Sequence, residues 1–495
     1  MVTEPKRISV TKLNKISKSK RIICFGCGKR FFEIITLYSE EPFVNAVCTA
    51  MDNNKLLWGK EIDAGGKKYT VHNPEKLRSF DYHDCIILIT SDKSDIIYDS
   101  IKEYLAPKMQ VYRYPESFYG WTGIIFRLVS LFVDEKQLLF RAGSEPHENA
   151  DEIVHYLSQN NELHEYKVVY LNDDYSQHHG NVRNICSLTI KKKASVRKIL
   201  DYCLAYGGSK YLIYENEAIK KVNSCQKLIY LNHGTIPLKK VSDIFKQPND
   251  VDYATCPSKE CAQIYLDQYG IPENKQIYMM PARVNHMLRA SGQLHELMGA
   301  GTKKIILWLP TFRRLKGSER CDSKNIDPVA LLTNNLLDID KWLEKYNLLL
   351  TIKKHPREKE NIILSGVENI VVLDDKKLDA DKIALQDILK DADALLTDYS
   401  GIAFEYMLLN RPIGYVLTDV SEYNRGFSMH DYEEYMPGRK IYNLQDILQF
   451  FEDIKEGRDP YITQREQLKK KLFGTHAYEN GAEAFVNFLN KTNAH

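Results

Sequence analysis

At 495 residues, with 43% apolar and 27% charged side chains, the chain is long enough for two or three domains, each with its own core. A formal net charge of +2 gives no general attraction to nucleic acid, so no nucleic-acid partner is implied. No signal peptide opens the chain, and no run of about 18 apolar residues is present, which predicts a cytoplasmic protein.

Residues 1–20 carry Lys6, Arg7, Lys12, Lys15, Lys18 and Lys20 against one acid, Glu4. They read as a basic flexible tail, either solvated or touching a membrane. From 21 to 115 a small Rossmann-like domain is expected. RIICF and CIILIT are strands, Gly26-Cys27-Gly28 is the first turn, a helix spans about Phe31 to Tyr38, and a second strand ends near Asp52. The fingerprint is reduced, because Phe31 stands where a third glycine belongs, while Asp52 sits where a ribose acid could stand. A nucleotide site and a plain packing domain both remain open here. Cys24 and Cys27 form a C-x-x-C with no second pair at ligand spacing, so free thiols are expected.

Residues 116–135 include the apolar segment Phe118 to Val133, with Arg127 inside it. Too short to span a bilayer, it reads as a buried connecting helix or one lying at a membrane interface. From 136 to 300 strands and helices alternate: QLLF, a helix near Ala150 to Leu157, YKVVYL, KYLIY and KLIYL. The last strand leads into a loop with His233, Gly234 and Thr235, and a later strand near Gln276 to Met280 leads to Arg283. A second α/β domain is expected from 301 to 495. Its strand KKIILWL ends at Thr311 and Arg313, LLLTI ends at His355, and Glu422 to Lys440 form a Tyr-rich loop containing Arg425.

The stretch Asp393 to Tyr415 reads as strand, polar turn and helix. Ala394 to Leu396 are the strand, Ser400 is placed as a cap, Gly401 gives backbone room, and the helix runs from Ile402 to Leu409. A helix start of this kind suits an anion such as phosphate. Ligands of open α/β sheets bind at the carboxyl ends of strands. Those ends carry His233, Thr311, Arg313, His355, Asp398 and Ser400, an inventory suited to oxyanion recognition and proton transfer. Glu405 is placed either at a ribose or on a solvated face. The D-x-D strings at Asp379 and Asp391 fall in helical or pre-strand context, and neither a metal nor a cofactor is called for.

Taken together, HGTIPLKK with His233, LPTFRR with Arg313, KKHPR with His355, TDYSGIAFEY with Asp398 and Ser400, and RGFSMHDYEEYMPG resemble the motifs of the CDP-glycerol glycerophosphotransferases. These are the primases and polymerases of teichoic acids and related phosphate-linked capsules. QLLFRAGSEPHENADEIVHYL looks like the same family's opening segment. The resemblance covers roughly Lys136 to Asn480. It implies a GT-B-like pair of Rossmann-like domains facing a cleft, preceded by the small extra Rossmann-like domain. It also implies CDP-glycerol or CDP-ribitol as donor, a lipid-linked anionic polymer acceptor, and work at the inner membrane face.

In that scheme His233 is the base. His355, Thr311, Arg313, Asp398, Ser400, Gly401 and Glu405 hold the donor, and Gly234, Thr235, Arg283 and Arg425 are further candidates. Lys191-Lys192-Lys193, Arg197 and Lys198, the basic tail and the 118–133 segment are the candidate membrane contacts. Three departures stand out: Gly401 where the family often has a second serine, Ile236 inserted into the HGTPLK pattern, and Asn285 where an acid is common. A GT-B glycosyltransferase using a nucleotide-sugar, or a silent nucleotide- or polyanion-binding scaffold, would share much of this inventory.

Overall fold

A computed structural model describes residues 5–8, 10–91, 94–113, 125–126, 128–141, 148–160, 165–172, 182–186, 196–245, 247–289, 292–313, 322–323, 327, 329–355, 362, 364–373, 375–381 and 383–493. Half of the expected 118–133 helix, Lys191-Lys192-Lys193 and Arg357 of KKHPR lie outside the described residues. The chain divides into two compact units. One holds the described residues up to 131 with 196–204; the other holds 132–186 and 205 onward.

The first unit is built on β1 (Lys6–Arg7), β2 (Arg21–Phe25), β3 (Val47–Met51), β4 (Glu61–Ala64), β5 (Lys67–His72), β6 (Cys85–Ile89) and β7 (Val111–Arg113). Their order is β1-β7-β6-β2-β3-β5-β4, parallel except for the β4–β5 hairpin. Continuous apolar runs such as CIILI are buried along their whole length, as a parallel sheet covered on both faces requires. The basic segment is not a flexible tail. Lys6 and Arg7 pair with Tyr112 and Arg113, a helix follows over Val10–Ile16, and Ile8 and Leu13 are buried in the core. Val10 and Ile16 pack against the same core, and Asn14 is hydrogen-bonded to Glu41 and to the Phe43 N–H, so a few apolar and amide contacts hold a segment whose lysines dominate its composition.

Asp52 turns its carboxylate onto the backbone of its own unit. Its carboxylate accepts the Cys27 N–H at 2.6 Å and the Asn54 N–H at 2.8 Å, so the glycine turn and the acid satisfy each other. Cys24 and Cys27 are free and buried, and burial followed by the Asp52 charge pushes the Cys27 thiol up to about 12.

The second unit contains two parallel sheets. The first runs β10 (Arg183–Cys186), β9 (Lys167–Asn172), β8 (Asp134–Arg141), β11 (Ser209–Tyr214), β12 (Lys227–Tyr230), β13 (Tyr253–Cys256), β14 (Gln276–Tyr278). The second runs β17 (Ile370–Val372), β16 (Leu348–Ile352), β15 (Lys304–Leu309), β18 (Ala394–Thr397), β19 (Ile413–Val416), β20 (Arg439–Ile441). This is the expected pair of Rossmann-like halves. Each has its strand order reversing at a central strand, β8 in one and β15 in the other, where ligands of such sheets bind.

The end of the chain does not stay with the second sheet. Helix Gly481–Asn493 packs Phe485, Val486 and Leu489 onto Leu138, Phe140 and Tyr211 of the first half. Tyr211 seals the contact with a 2.6 Å hydrogen bond to Asn493. Asn285 pins this return, donating to Asn480 Oδ1 at 2.7 Å and accepting the Gly481 N–H at 3.1 Å. An acid at 285 would accept but not donate, which gives the amide a reason to stand there. Around residue 130 the burial expectation is met only in part: Phe126 and Val129 are buried, whereas Leu128, Leu131 and Phe132 are exposed.

Candidate active site

Beyond β12 the chain makes a left-handed turn at Asn232, φ 57°, a conformation that asparagine tolerates better than most residues. The turn is clamped. Asn232 donates to the Tyr265 hydroxyl at 2.6 Å and accepts from Tyr230 at 3.0 Å, while its carbonyl accepts from Asn149 at 3.0 Å. The next residue, His233, therefore leaves the sheet with 49% of its side chain exposed.

Behind it, His233 Nδ1 lies 3.6 Å from Oε2 of Glu148, which is 3% exposed. Burial alone would raise this carboxyl, but Arg283 and then His233 outweigh it and hold it at about 2. A second acid, Glu215, accepts the Ala150 N–H at 2.6 Å. Its burial, followed by the charge on Glu148, pushes its pKa well above the ordinary carboxylate value. Ligand atoms of Glu148, Glu215 and His233 lie within 4.8 Å of one another. The positive charge that Glu148 needs comes from Arg283, whose Nη1 lies 3.1 Å away. An exposed imidazole backed by an ionised, buried carboxylate is an arrangement for taking a proton. Glu148 was not singled out from the sequence. Its only local signal is an acid placed just before the Asn149–Gln159 helix.

Arg283 continues the chain of charge into the second half. Its Nη2 donates to Glu405 Oε1 at 2.5 Å, and Thr235 donates to the same oxygen at 2.9 Å. Glu405 and Thr235 are fully buried. Glu405 is therefore neither at a ribose nor on a solvated face. It ties the helix after β18 to the His233 loop, and Arg283 and Thr235 serve that tie.

At the switch point of the second half, Asp398 collects the Thr311 N–H at 3.0 Å, the Thr311 hydroxyl at 3.0 Å, Arg313 Nη1 at 2.8 Å and the Tyr399 N–H at 2.6 Å. Arg313 also grips Asp419 through Nε at 2.7 Å and Nη2 at 3.1 Å, and its guanidinium lies 5.1 Å from the centroid of the Tyr399 ring. Burial works against ionised Asp419, but Arg313 outweighs it and lowers the acid below its ordinary value. Thr311, Arg313 and Asp398 are all buried. The expectation that Arg313 grips a diphosphate is corrected by this geometry: its fork is turned inward onto two carboxylates. Asp419 was missed because nothing near it in sequence marks it.

Ser400 and Gly401 retain accessible surface at the start of a short helix, Ile402–Tyr406, continued as a 3-10 turn to Leu409 and ended by left-handed Asn410. The Ile402 N–H reaches Ser400 Oγ only at 3.4 Å. His355 is half-buried, with its ring edge-on to Phe312 at 5.0 Å. Gly234 has open space where a side chain would stand. Arg425 belongs to the loop that reaches back to the first half, donating to the Lys240 carbonyl at 2.6 Å and facing Asp322 at 3.7 Å. The expected residues thus sort in two. His233, Gly234, His355, Ser400 and Gly401 are accessible, while Thr235, Arg283, Thr311, Arg313, Asp398 and Glu405 form the scaffold beneath them.

Residues 124–487 match the family model described as CDP-glycerol:poly(glycerophosphate) glycerophosphotransferase. The teichoic acid glycerol-phosphate primase of Bacillus subtilis (strain 168) is 25% identical over 278 residues, 56% of this chain and 66% of the primase. The teichoic acid ribitol-phosphate primase of Bacillus spizizenii (strain ATCC 23059 / NRRL B-14472 / W23) is 27% identical over 189 residues, 38% of this chain and 44% of that protein. The chain thus spans just under two thirds, or less, of the length of these curated relatives. Among solved structures, the wall teichoic acid polymerase TagF aligns over 75% of this chain and 94% of its own, at 18% identity and a TM-score of 0.56, a likeness of fold.

Proposed function

The chain belongs to the CDP-glycerol:poly(glycerophosphate) glycerophosphotransferase family, and from that membership we propose that it moves glycerol phosphate from CDP-glycerol to a hydroxyl of a lipid-linked cell-wall polymer, releasing CMP. The observation that carries this is the His233–Glu148 pair, an accessible imidazole 3.6 Å from a buried, ionised carboxylate. In the proposed reaction the acceptor oxygen bonds to the donor's β-phosphorus as the bond from that phosphorus to the CMP oxygen breaks. Nε2 of His233 takes the acceptor proton, and Glu148, facing Nδ1, stabilises the imidazolium that forms. His355, with Ser400 and Gly401, faces the diphosphate. Phosphoryl transfer needs little covalent help, so positioning and charge supply most of the rate.

A donor panel of CDP-glycerol, CDP-ribitol and nucleotide-sugars, read by nucleotide release and product sizing, tests this. CDP-glycerol turnover is expected. Turnover of CDP-ribitol alone moves the activity to that of the ribitol-phosphate relative, and turnover of a nucleotide-sugar alone overturns the proposal.

The reading also places the protein on the cytoplasmic face of a membrane, where a lipid-linked acceptor is met. Exposed Leu128, Leu131 and Phe132 support this, and among the described residues no helix is long and apolar enough to cross a membrane. Flotation with anionic liposomes is expected to carry the protein upward. A protein that stays in the load fraction at every salt concentration overturns the docking.

A further inference from the structure

Lys239 follows the His233 loop, and its main chain is held on both sides. It forms an antiparallel bridge with Phe427, while the Ser428 N–H donates to the Leu238 carbonyl at 2.9 Å and the Lys240 N–H to the Gly426 carbonyl at 3.0 Å. With Leu238 fully buried on one side of this ribbon, the Lys239 side chain leaves on the other. Its Nζ stands 5.7 Å from the centroid of the Phe312 ring, and the same ring meets His355 at 5.0 Å. Ammonium, phenyl ring and imidazole thus share one wall at the carboxyl end of β15.

Among the described residues no carboxylate oxygen lies within 4.0 Å of this ammonium. Arg313 makes the opposite choice, being bound to both Asp398 and Asp419. A desolvated cation without a carboxylate of its own is costly until an anion arrives. Burial lowers the Lys239 pKa to about 8; Arg425 and Arg313 add to the shift, and Asp398 and Asp322 oppose it.

We propose that Lys239 is a binding residue for the donor's diphosphate, its ammonium taking a non-bridging oxygen on the side of the cleft walled by Phe312 and His355. This rests on the CDP-linked donor proposed above. It assigns to the first half's loop the cationic contact that Arg313, turned inward, does not make.

Calorimetric titration of the full chain with CDP-glycerol, CMP, inorganic pyrophosphate and cytidine tests it. Lys239→Met is expected to weaken the first three by about tenfold or more, the worth of a charge-assisted contact, and to leave cytidine unchanged. Lys239→Arg is expected to stay within about threefold of the wild type, because it keeps the charge while altering its shape. Raising the pH through about 8 is expected to weaken pyrophosphate binding more in the wild type than in Lys239→Arg, whose guanidinium does not titrate there. If Lys239→Met does not fold, this pH comparison carries the test, and parallel pH curves then overturn the assignment. Unchanged CDP-glycerol and pyrophosphate affinity in a folded Lys239→Met also overturns it. A wild type that binds pyrophosphate through Lys239 but not CDP-glycerol keeps the anion contact and overturns the donor reading; one that binds neither overturns both.

Discussion

Gly401 and Ile236 touch through their main chains: a Cβ built on Gly401 would stand 2.5 Å from the Ile236 carbonyl oxygen. Backbone conformation does not demand glycine there, since φ is −64°. The close approach does. Ile236 and Gly401, the two positions at which the sequence reads as departing from the resembled motifs, therefore meet at one contact. Any side chain at 401 would meet the Ile236 carbonyl, so the loop and the helix start can approach this closely only with glycine there.

Gly401→Ser is accordingly expected to destabilise the chain by about 1–3 kcal/mol, the usual cost of overpacking against an unyielding group. Deleting Ile236 should shrink that cost, with a coupling of about 1 kcal/mol or more in a double-mutant cycle followed by thermal unfolding. Additive effects would show that the two departures are independent.

His233→Ala is expected to reduce turnover by about 10²–10⁴-fold while donor affinity, measured by titration, stays near the wild-type value. Glu148→Gln is a different lesion. It removes the charge behind the imidazole and also one of the two carboxylates that hold Arg283. Turnover per folded molecule should fall and the unfolding midpoint should fall with it. A Glu148→Gln protein with full turnover would detach Glu148 from the base.

Arg313→Ala should act on stability before it acts on binding. The substitution leaves Asp398 and Asp419 buried without their cation, a loss of about 3–5 kcal/mol for a broken buried pair. Denaturant unfolding should show it directly. Arg313→Lys is expected to recover little, because a single ammonium cannot span two carboxylates held by three different nitrogens. Normal stability with weakened donor binding would return Arg313 to the diphosphate.

Much of the second unit was legible because its strands are short apolar runs ending in polar loops, a pattern that period and turn chemistry report well. LPTFRR, KKHPR and TDYSGIAFEY all begin at the ends of adjacent strands, β15, β16 and β18. The roles within those motifs were less legible, since charge in a sequence does not say which way a side chain turns. Arg313 reads as an oxyanion ligand until Asp419, 106 residues away, is seen beside it. Glu405 reads as a ribose ligand until Arg283, 122 residues away, meets it. The folded N-terminal segment escaped notice for a related reason: Ile8 and Leu13, with Val10 and Ile16 packed beside them, anchor it against a background of lysines.

The joint between the halves carries a pH dependence of its own. His286 lies in the Ala282–Arg289 helix, with Nδ1 3.3 Å from Glu152 in the first half and Nε2 2.8 Å from Asp387 in the second. Arg289 shares Glu152 at 2.5 Å. Burial works against the imidazolium, but Asp387 and Glu152 outweigh it and raise the His286 pKa from 6.5 to about 9. A raised folded-state pKa means that the folded chain binds the proton more tightly than the unfolded one does. The contribution is therefore fully present below about pH 6.5 and is lost as the pH rises through about 9. Urea midpoints of the wild type should fall across that window, and His286→Gln should flatten the fall by keeping a neutral donor between the two acids. If the variant loses stability as steeply as the wild type between pH 6.5 and 9, the titrating group is another one and His286 does not couple the halves to pH.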